Sequence, residues 1–306
     1  MKLKHIVESQ QFTVPLLMEL FERTRLMNRI VARGGTFDYS HKIMATLFYK
    51  PSTRTRFSFE SAMYRLGGKV LSTEQAHEFS SEIQGEILED TIQIISNYCD
   101  VIVLRHHEEG GAKRAAAVSH VPIINAGDGS GGQHPTQALL DLYTIFNECK
   151  ALEGISVAFI GALDQGRTVR SLAYLLSKFD RVKLYFVAPD ELQIKPDILK
   201  HLDEHNISYT LNNNINSIIN KVDVVYQTRI DRERLIKKDI DLSIYNIDNS
   251  VLQKMKNNAI IMHPLPRSVE ISPAVDSDKR AAYFRQAENG LYVRMALLTM
   301  LFDVEI

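Results

Sequence analysis

The residues with the most chemistry in them form one short run, Pro51-Ser52-Thr53-Arg54-Thr55-Arg56. It lies where an apolar run, Ile43–Tyr49, gives way to a helical pattern over Ser52–Leu66. A helix start carries unspent backbone N–H groups and the positive end of the helix dipole, which suits an anion. Hydroxyls and a guanidinium add donors with the geometry that a phosphate accepts. The competing reading is a plain N-cap, for which Ser and Thr are favoured. A cap uses one hydroxyl and leaves Thr53 to Arg56 unexplained.

Arginines recur at the ends of other predicted strands. Arg105 closes Val101–Arg105, with His106 and His107 behind it. Its competing reading is a surface ion pair with Glu108 or Glu109. The paired histidines lack a third ligand at useful spacing, so no metal is expected. Gly127-Asp128-Gly129-Ser130-Gly131-Gly132 has the G-x-G-x-x-G form, but His134-Pro135 intervenes before the helix and no acidic partner follows. A loop is expected there, not a dinucleotide site. In Gln133-His134-Pro135-Thr136-Gln137, Pro135 suits a first helical turn, and His134 and Gln137 share one face of it. His134 can then donate to a developing oxyanion, or serve only as a cap. Gly161 to Thr168 nearly matches a P-loop with Arg167 in the lysine's place. Nucleotide triphosphate binding is rejected, and Arg167 suits a carboxylate instead. Arg229, just past the run Val222–Tyr226, is a second arginine of that kind, and both have a solvated surface arginine as the alternative. Finally, His263-Pro264-Leu265-Pro266-Arg267 follows Ala259–Met262 as a stiff loop with free carbonyls, or as a structural turn.

The elements that must position these residues alternate. Strands are predicted at Ile43–Tyr49, Lys69–Ser72, Val101–Arg105 and Val121–Asn125. Helices are predicted at Ser52–Leu66, Ile87–Tyr98, Ala112–Val118 and Pro135–Phe146. The pattern restarts after Glu153-Gly154 with strands at Ile155–Ile160, Val182–Val187, Val222–Tyr226 and Ala259–Met262, and a helix at Thr168–Lys178. An amphipathic helix at about Glu288–Leu301 ends it. The fold class is therefore α/β, with two doubly wound parallel-sheet domains and the active site in the cleft between them. The expected domains are 1–140, with a final helix over 286–306 packing back on either domain, and 150–285. The 306 residues fit two domains at about 150 residues each. A charge balance of 36 Lys+Arg against 37 Asp+Glu excludes a protein that coats nucleic acid or anionic membrane by bulk charge. Two cysteines make no disulfide scaffold, no apolar run reaches membrane-span length, and Met1–His5 begins no secretory signal. The expectation is a soluble cytoplasmic enzyme.

Phe48 to Arg56, Gln133 to Gln137 and His263 to Arg267 resemble, in order and spacing, the signatures of the aspartate/ornithine carbamoyltransferases. The resemblance spans essentially the whole chain. The loop His263–Arg267 resembles the aspartate branch; the cysteine and the serine-methionine-glycine motif of the ornithine branch are absent from the sequence. By this resemblance Ser52, Thr53, Arg54 and Thr55 hold the phosphate of carbamoyl phosphate. Thr55, Arg105 and His134 grip its carbonyl oxygen and carry the catalysis. Gln137 and the carbonyls of Leu265 and Pro266 meet its amino group, while Arg167, Arg229 and position 231 face the carboxylates of L-aspartate. The resemblance implies a homotrimer whose sites are completed by a neighbouring chain's loop, Ser80 to Gly85. It implies no metal and no cofactor, and leaves regulatory or dihydroorotase partner chains open.

Three positions depart from the family pattern: Gln84 replaces a lysine in the neighbouring-chain loop, Asp231 a glutamine, and Lys50 a glutamate. Two alternatives follow. One is a carbamoyltransferase acting on a different amine, for instance one with an ammonium group that Asp231 pairs. The other is a low-activity paralogue serving as a scaffold subunit.

Overall fold

A computed structural model describes residues 3–74, 85–129, 131–230 and 241–302. The chain divides into two compact units, Met1–Leu140 with Asn289–Ile306, and Asp141–Glu288.

In the first unit, β1 (Ile43–Phe48) leads into α2 (Thr53–Arg65) and β2 (Lys69–Glu74), after an opening helix α1 (Val14–Ala32). Then come α3 (Leu88–Ile95), β3 (Val101–Arg105), α4 (Gly111–Val118), β4 (Ile123–Asn125) and α5 (Pro135–Cys149), which crosses into the second unit. The strands pair in parallel in the order β2-β1-β3-β4. Parallel strands need crossovers and are covered on both faces, so β1 and β3 read as continuous apolar runs and are buried. Helix α1 was not anticipated from the sequence. Its buried Leu17, Leu20, Phe21, Thr24 and Met27 nevertheless recur at helical spacing, and Thr13 caps it by accepting from the Leu16 N–H at 3.4 Å.

The second unit contains β5 (Ser156–Ile160), α6 (Arg167–Leu176), β6 (Lys183–Val187), α7 (Pro196–Glu204), β7 (Ser208–Asn212), β8 (Val224–Gln227), α8 (Asn249–Lys254) and β9 (Ile260–Met262). The closing helix α9 (Tyr283–Phe302) begins here and ends in the first unit. The order is β7-β6-β5-β8-β9, again parallel. Strand β7 went unanticipated because it is the sheet's edge. Ser208, Thr210 and Leu211 are exposed, so no apolar run marks it. Among the described residues, no helix is long and apolar enough to cross a membrane.

Candidate active site

In the first unit, chain order reverses direction between β1 and β3: β1 continues to β2 on one side, and β3 lies on the other. Ligands of doubly wound sheets bind beyond the carboxyl ends of strands at such a switch point. Two of the sequence-predicted segments end there. Phe48 pairs with Arg105 in register, and the Tyr49 N–H donates to the Arg105 carbonyl at 2.9 Å. Helix α2 starts four residues after Tyr49, with Ser52 in the N-cap position and its side chain making no capping bond. The first bond within the helix is from Arg56 N to Ser52 O, so the amides of Thr53, Arg54 and Thr55 precede the ladder. Thr55 is buried in the first turn and Arg54 is exposed. Arg56 is directed elsewhere: its Nε lies 3.7 Å from Glu60, whose carboxylate also takes the hydroxyls of Thr46 and Ser72.

His134 stands beyond β4, the neighbour of β3. It is buried, its carbonyl accepts from the Gln137 and Ala138 amides, and Pro135 opens α5. Thr136 Oγ1 is 3.5 Å from its Nδ1. Arg105 reaches back to the same loop, donating from an Nη to the Ala126 carbonyl at 3.1 Å. The glycine-rich stretch between β4 and α5 is packed against its own neighbours. Asp128 accepts from the Gly110 and Gln133 amides at 3.0 and 2.8 Å, and Gly129 N donates to Glu108 O. The Gly127 N–H donates to Asn125 Oδ1 and the Asp128 N–H to Gln133 O, so with Gly129 three successive amides of the stretch are spent and do not cradle a pyrophosphate. His106 is buried beside Tyr49 and stacked on His107, and burial first, then its neighbour's charge, brings its pKa down to about 4.

The second unit repeats the arrangement, with its switch point between β5 and β8. Arg167 is the first residue of α6 after β5, and Arg229 follows β8. The two loops are stitched together by Thr228 N donating to Ile160 O at 2.7 Å and Ala162 N to Arg229 O at 3.4 Å, while Gly161 N donates to Val187 O at the end of β6. The near P-loop has its amides occupied as well. Those of Leu163 and Asp164 both donate to Leu192 O, which agrees with a loop that presents Arg167 and not a phosphate nest.

Beyond β9, the neighbour of β8, comes the loop of Leu265 and Pro266. Leu265 has φ +48° and the Leu265–Pro266 bond is cis. Arg267 donates to Asp276 Oδ2 at 2.6 Å and to the Tyr283 hydroxyl at 3.0 Å. Sequence reasoning missed the side chains that hold these segments from behind: Asp128, Asp141, Glu270 and Gln286. Each is joined to its partner by contacts that spacing does not announce, as with Gln286 and Asp141, 145 positions apart.

The proposed site residues Ser52, Thr53, Arg54, Thr55, Arg105, His134 and Gln137 thus belong to the first unit, and Arg167, Arg229, Leu265 and Pro266 to the second. Ser80, Gln84 and Asp231 lie outside the described residues. Lys50 is exposed in the turn between β1 and α2.

Residues 4–147 match the family model for the aspartate/ornithine carbamoyltransferase carbamoyl-P binding domain, and residues 153–301 match that for the Asp/Orn binding domain. The chain is 52% identical over 308 residues to aspartate carbamoyltransferase 1, chloroplastic, of Pisum sativum, covering 98% of this chain and 79% of the relative. It is 43% identical to the aspartate carbamoyltransferase catalytic subunit of Clostridium acetobutylicum, over 99% of both. Among solved structures, the catalytic subunit of M. jannaschii aspartate transcarbamoylase superposes with a TM-score of 0.90 at 43% identity, over 98% of each chain. The Trypanosoma cruzi enzyme in complex with N-(phosphonacetyl)-L-aspartic acid superposes with a TM-score of 0.92 at 38% identity, over 98% of this chain and 96% of the other. With both units matched in the order in which the fold presents them, the chain belongs to the aspartate/ornithine carbamoyltransferase family.

Proposed function

We propose that this protein transfers the carbamoyl group of carbamoyl phosphate to the α-amine of L-aspartate, giving N-carbamoyl-L-aspartate and phosphate for pyrimidine biosynthesis. The observation that carries the proposal is the switch point of the first unit. There the start of α2 and the end of β3 stand side by side, with Phe48 and Arg105 in register. Relatives at this level of identity are named for the reaction, and the Trypanosoma cruzi enzyme has been solved in complex with carbamoyl phosphate and aspartate.

The chemistry follows from the residue types. The leading amides of α2, with Ser52, Thr53, Arg54 and Thr55, hold the phosphate dianion. Arg167 and Arg229 offer planar forks to two carboxylates. The free amine of aspartate attacks the carbamoyl carbon, negative charge grows on the carbonyl oxygen, and the C–O bond to phosphate breaks. The leaving phosphate takes the amine proton. Thr55, Arg105 and His134 donate to the growing charge, and one such preorganised donor contributes about 3 kcal/mol to the barrier reduction. Holding two anions in attacking geometry supplies much of the rest.

Purified protein given both substrates releases phosphate and carbamoyl-aspartate. Absence of both products with aspartate in large excess would overturn the reading. Gln84 and Asp231 favour one alternative, an acceptor carrying an ammonium group, and a panel of amino acids and diamines decides between them. We also infer a cytoplasmic homotrimer. Phe57 and Tyr64 of α2 and Leu71 of β2 are large, exposed apolar side chains of the kind that a neighbouring copy covers, and the solution mass tests it.

A further inference from the structure

The loop after β9 is held from behind by two buried side chains that the reaction scheme above does not use. His263 is 3% exposed and Glu270 is 4% exposed. The imidazole Nδ1 of His263 accepts from the Leu265 N–H at 2.7 Å, so its proton lies on Nε2, which faces Glu270 Oε1 at 2.9 Å. The Glu270 carboxylate also accepts from the Ser268 N–H, at 3.0 Å to each oxygen. One imidazole and one carboxylate therefore take up the amides on either side of Leu265-Pro266-Arg267. The base of the loop is fixed too, since the His263 N–H donates to Gln286 Oε1 at 2.9 Å. Leu265 meanwhile occupies the left-handed region at φ +48°, which a side chain with a Cβ adopts only when its surroundings impose it. Burial raises the pKa of the Glu270 carboxyl, but the hydrogen bonds from His263 and the Ser268 amide outweigh this and leave it below the ordinary value.

We propose that His263 and Glu270 are a positioning pair: they hold the Leu265 and Pro266 carbonyls where these accept the N–H bonds of the carbamoyl group, and so select carbamoyl over other acyl phosphates. The proposal rests on the reading that this loop meets the carbamoyl amino group. A site built to accept N–H bonds discriminates strongly against an analogue that lacks them. Acetyl phosphate is such an analogue, with a methyl group in place of the amine. Inorganic phosphate tests the cradle of the first unit alone.

The experiment compares wild-type protein with His263→Leu, His263→Asn and Glu270→Gln. It measures kcat and KM for carbamoyl phosphate, and the binding of carbamoyl, acetyl and inorganic phosphate. Wild-type protein that does not turn over carbamoyl phosphate with any amine would overturn the functional reading itself. With turnover established, His263→Leu is expected to lower kcat/KM for carbamoyl phosphate by about 100-fold, as a small misplacement of a binding group does. Its preference for carbamoyl over acetyl phosphate falls, while phosphate affinity stays within about twofold. His263→Asn returns an amide oxygen to the Leu265 N–H and recovers about tenfold of the loss. Glu270→Gln falls between the two. The pair is refuted if His263→Leu and Glu270→Gln keep the wild-type preference. It is also refuted if every variant loses phosphate and carbamoyl phosphate affinity in parallel.

Discussion

The Tyr226 hydroxyl donates to Asp141 Oδ2 at 2.7 Å, with both side chains fully buried in the second unit. The other carboxylate oxygen accepts from Gln286 Nε2 at 2.6 Å, and Gln286 in turn accepts from the His263 amide. Thr168, next to Arg167, also bonds to the Tyr226 hydroxyl. One hydrogen-bonded chain thus links α6, β8, α5, α9 and the loop after β9. Burial first, then the neighbouring Asp141 charge, raises the Tyr226 pKa well above its ordinary value, so the phenol remains a donor throughout the physiological range.

Tyr226→Phe removes a donor from a buried carboxylate without a large change in volume. It is expected to cost about 1–3 kcal/mol of stability, read as a lowered urea midpoint. A midpoint equal to wild type would show that the network contributes nothing net.

Arg54→Ala tests the phosphate cradle. A charge-assisted bond is worth about 1.5–3 kcal/mol, so the KM for carbamoyl phosphate should rise by about 10- to 100-fold while the solution mass is unchanged. Unaltered kinetics would remove Arg54 from the site.

Gly161→Ala tests the stitching of β5 to β8. Gly161 has φ +121°, and a Cβ there would lie 2.4 Å from both the carbonyl and the hydroxyl oxygen of Thr228. Overpacking of this kind costs about 1–3 kcal/mol. Because Thr228 precedes Arg229, aspartate KM should rise along with the fall in thermal midpoint. A variant as stable as wild type would mean that the loops separate freely.

Asp278 supplies a pH signature. Hydrogen bonds from the Arg280 side chain, against the cost of burial, pull its pKa down to about 2. A depressed folded pKa stabilises above the unfolded value, about 3.8, and that contribution is lost as pH falls through about 2. Asp278→Asn should therefore lose stability relative to wild type at neutral pH and converge with it at the acid end. Parallel denaturation curves across that window would contradict the assignment.

Gln84→Lys restores a cation to the loop expected to reach a neighbouring chain. If the substitution tunes the acceptor pocket, aspartate KM should fall by about tenfold, the worth of one charge-assisted bond. An unchanged KM would show that other residues set acceptor affinity.

The alternation of elements was legible in the residue types alone. Buried parallel strands must be continuous apolar runs, and Val101–Arg105 announces its own limits. Residue types also showed which groups are available for chemistry, because Ser52 to Thr55, His134, Arg167 and Arg229 follow predicted strands and Arg105 ends one. The edge strand Ser208–Asn212 was not legible, since Ser208, Thr210 and Leu211 are exposed and no continuous apolar run marks it. Folding set which strand ends are neighbours: β1 with β3, and β5 with β8, whose pairing follows from sheet order and not from chain order. It alone decided that Arg56 turns to Glu60 while Arg54 is left exposed, and that Glu270, seven residues beyond His263, closes the clamp on Leu265. Periodicity records how each segment meets the core, one face at a time. Hydrogen bonds between distant buried side chains leave no period, so the supports of a site emerge only when the chain has folded.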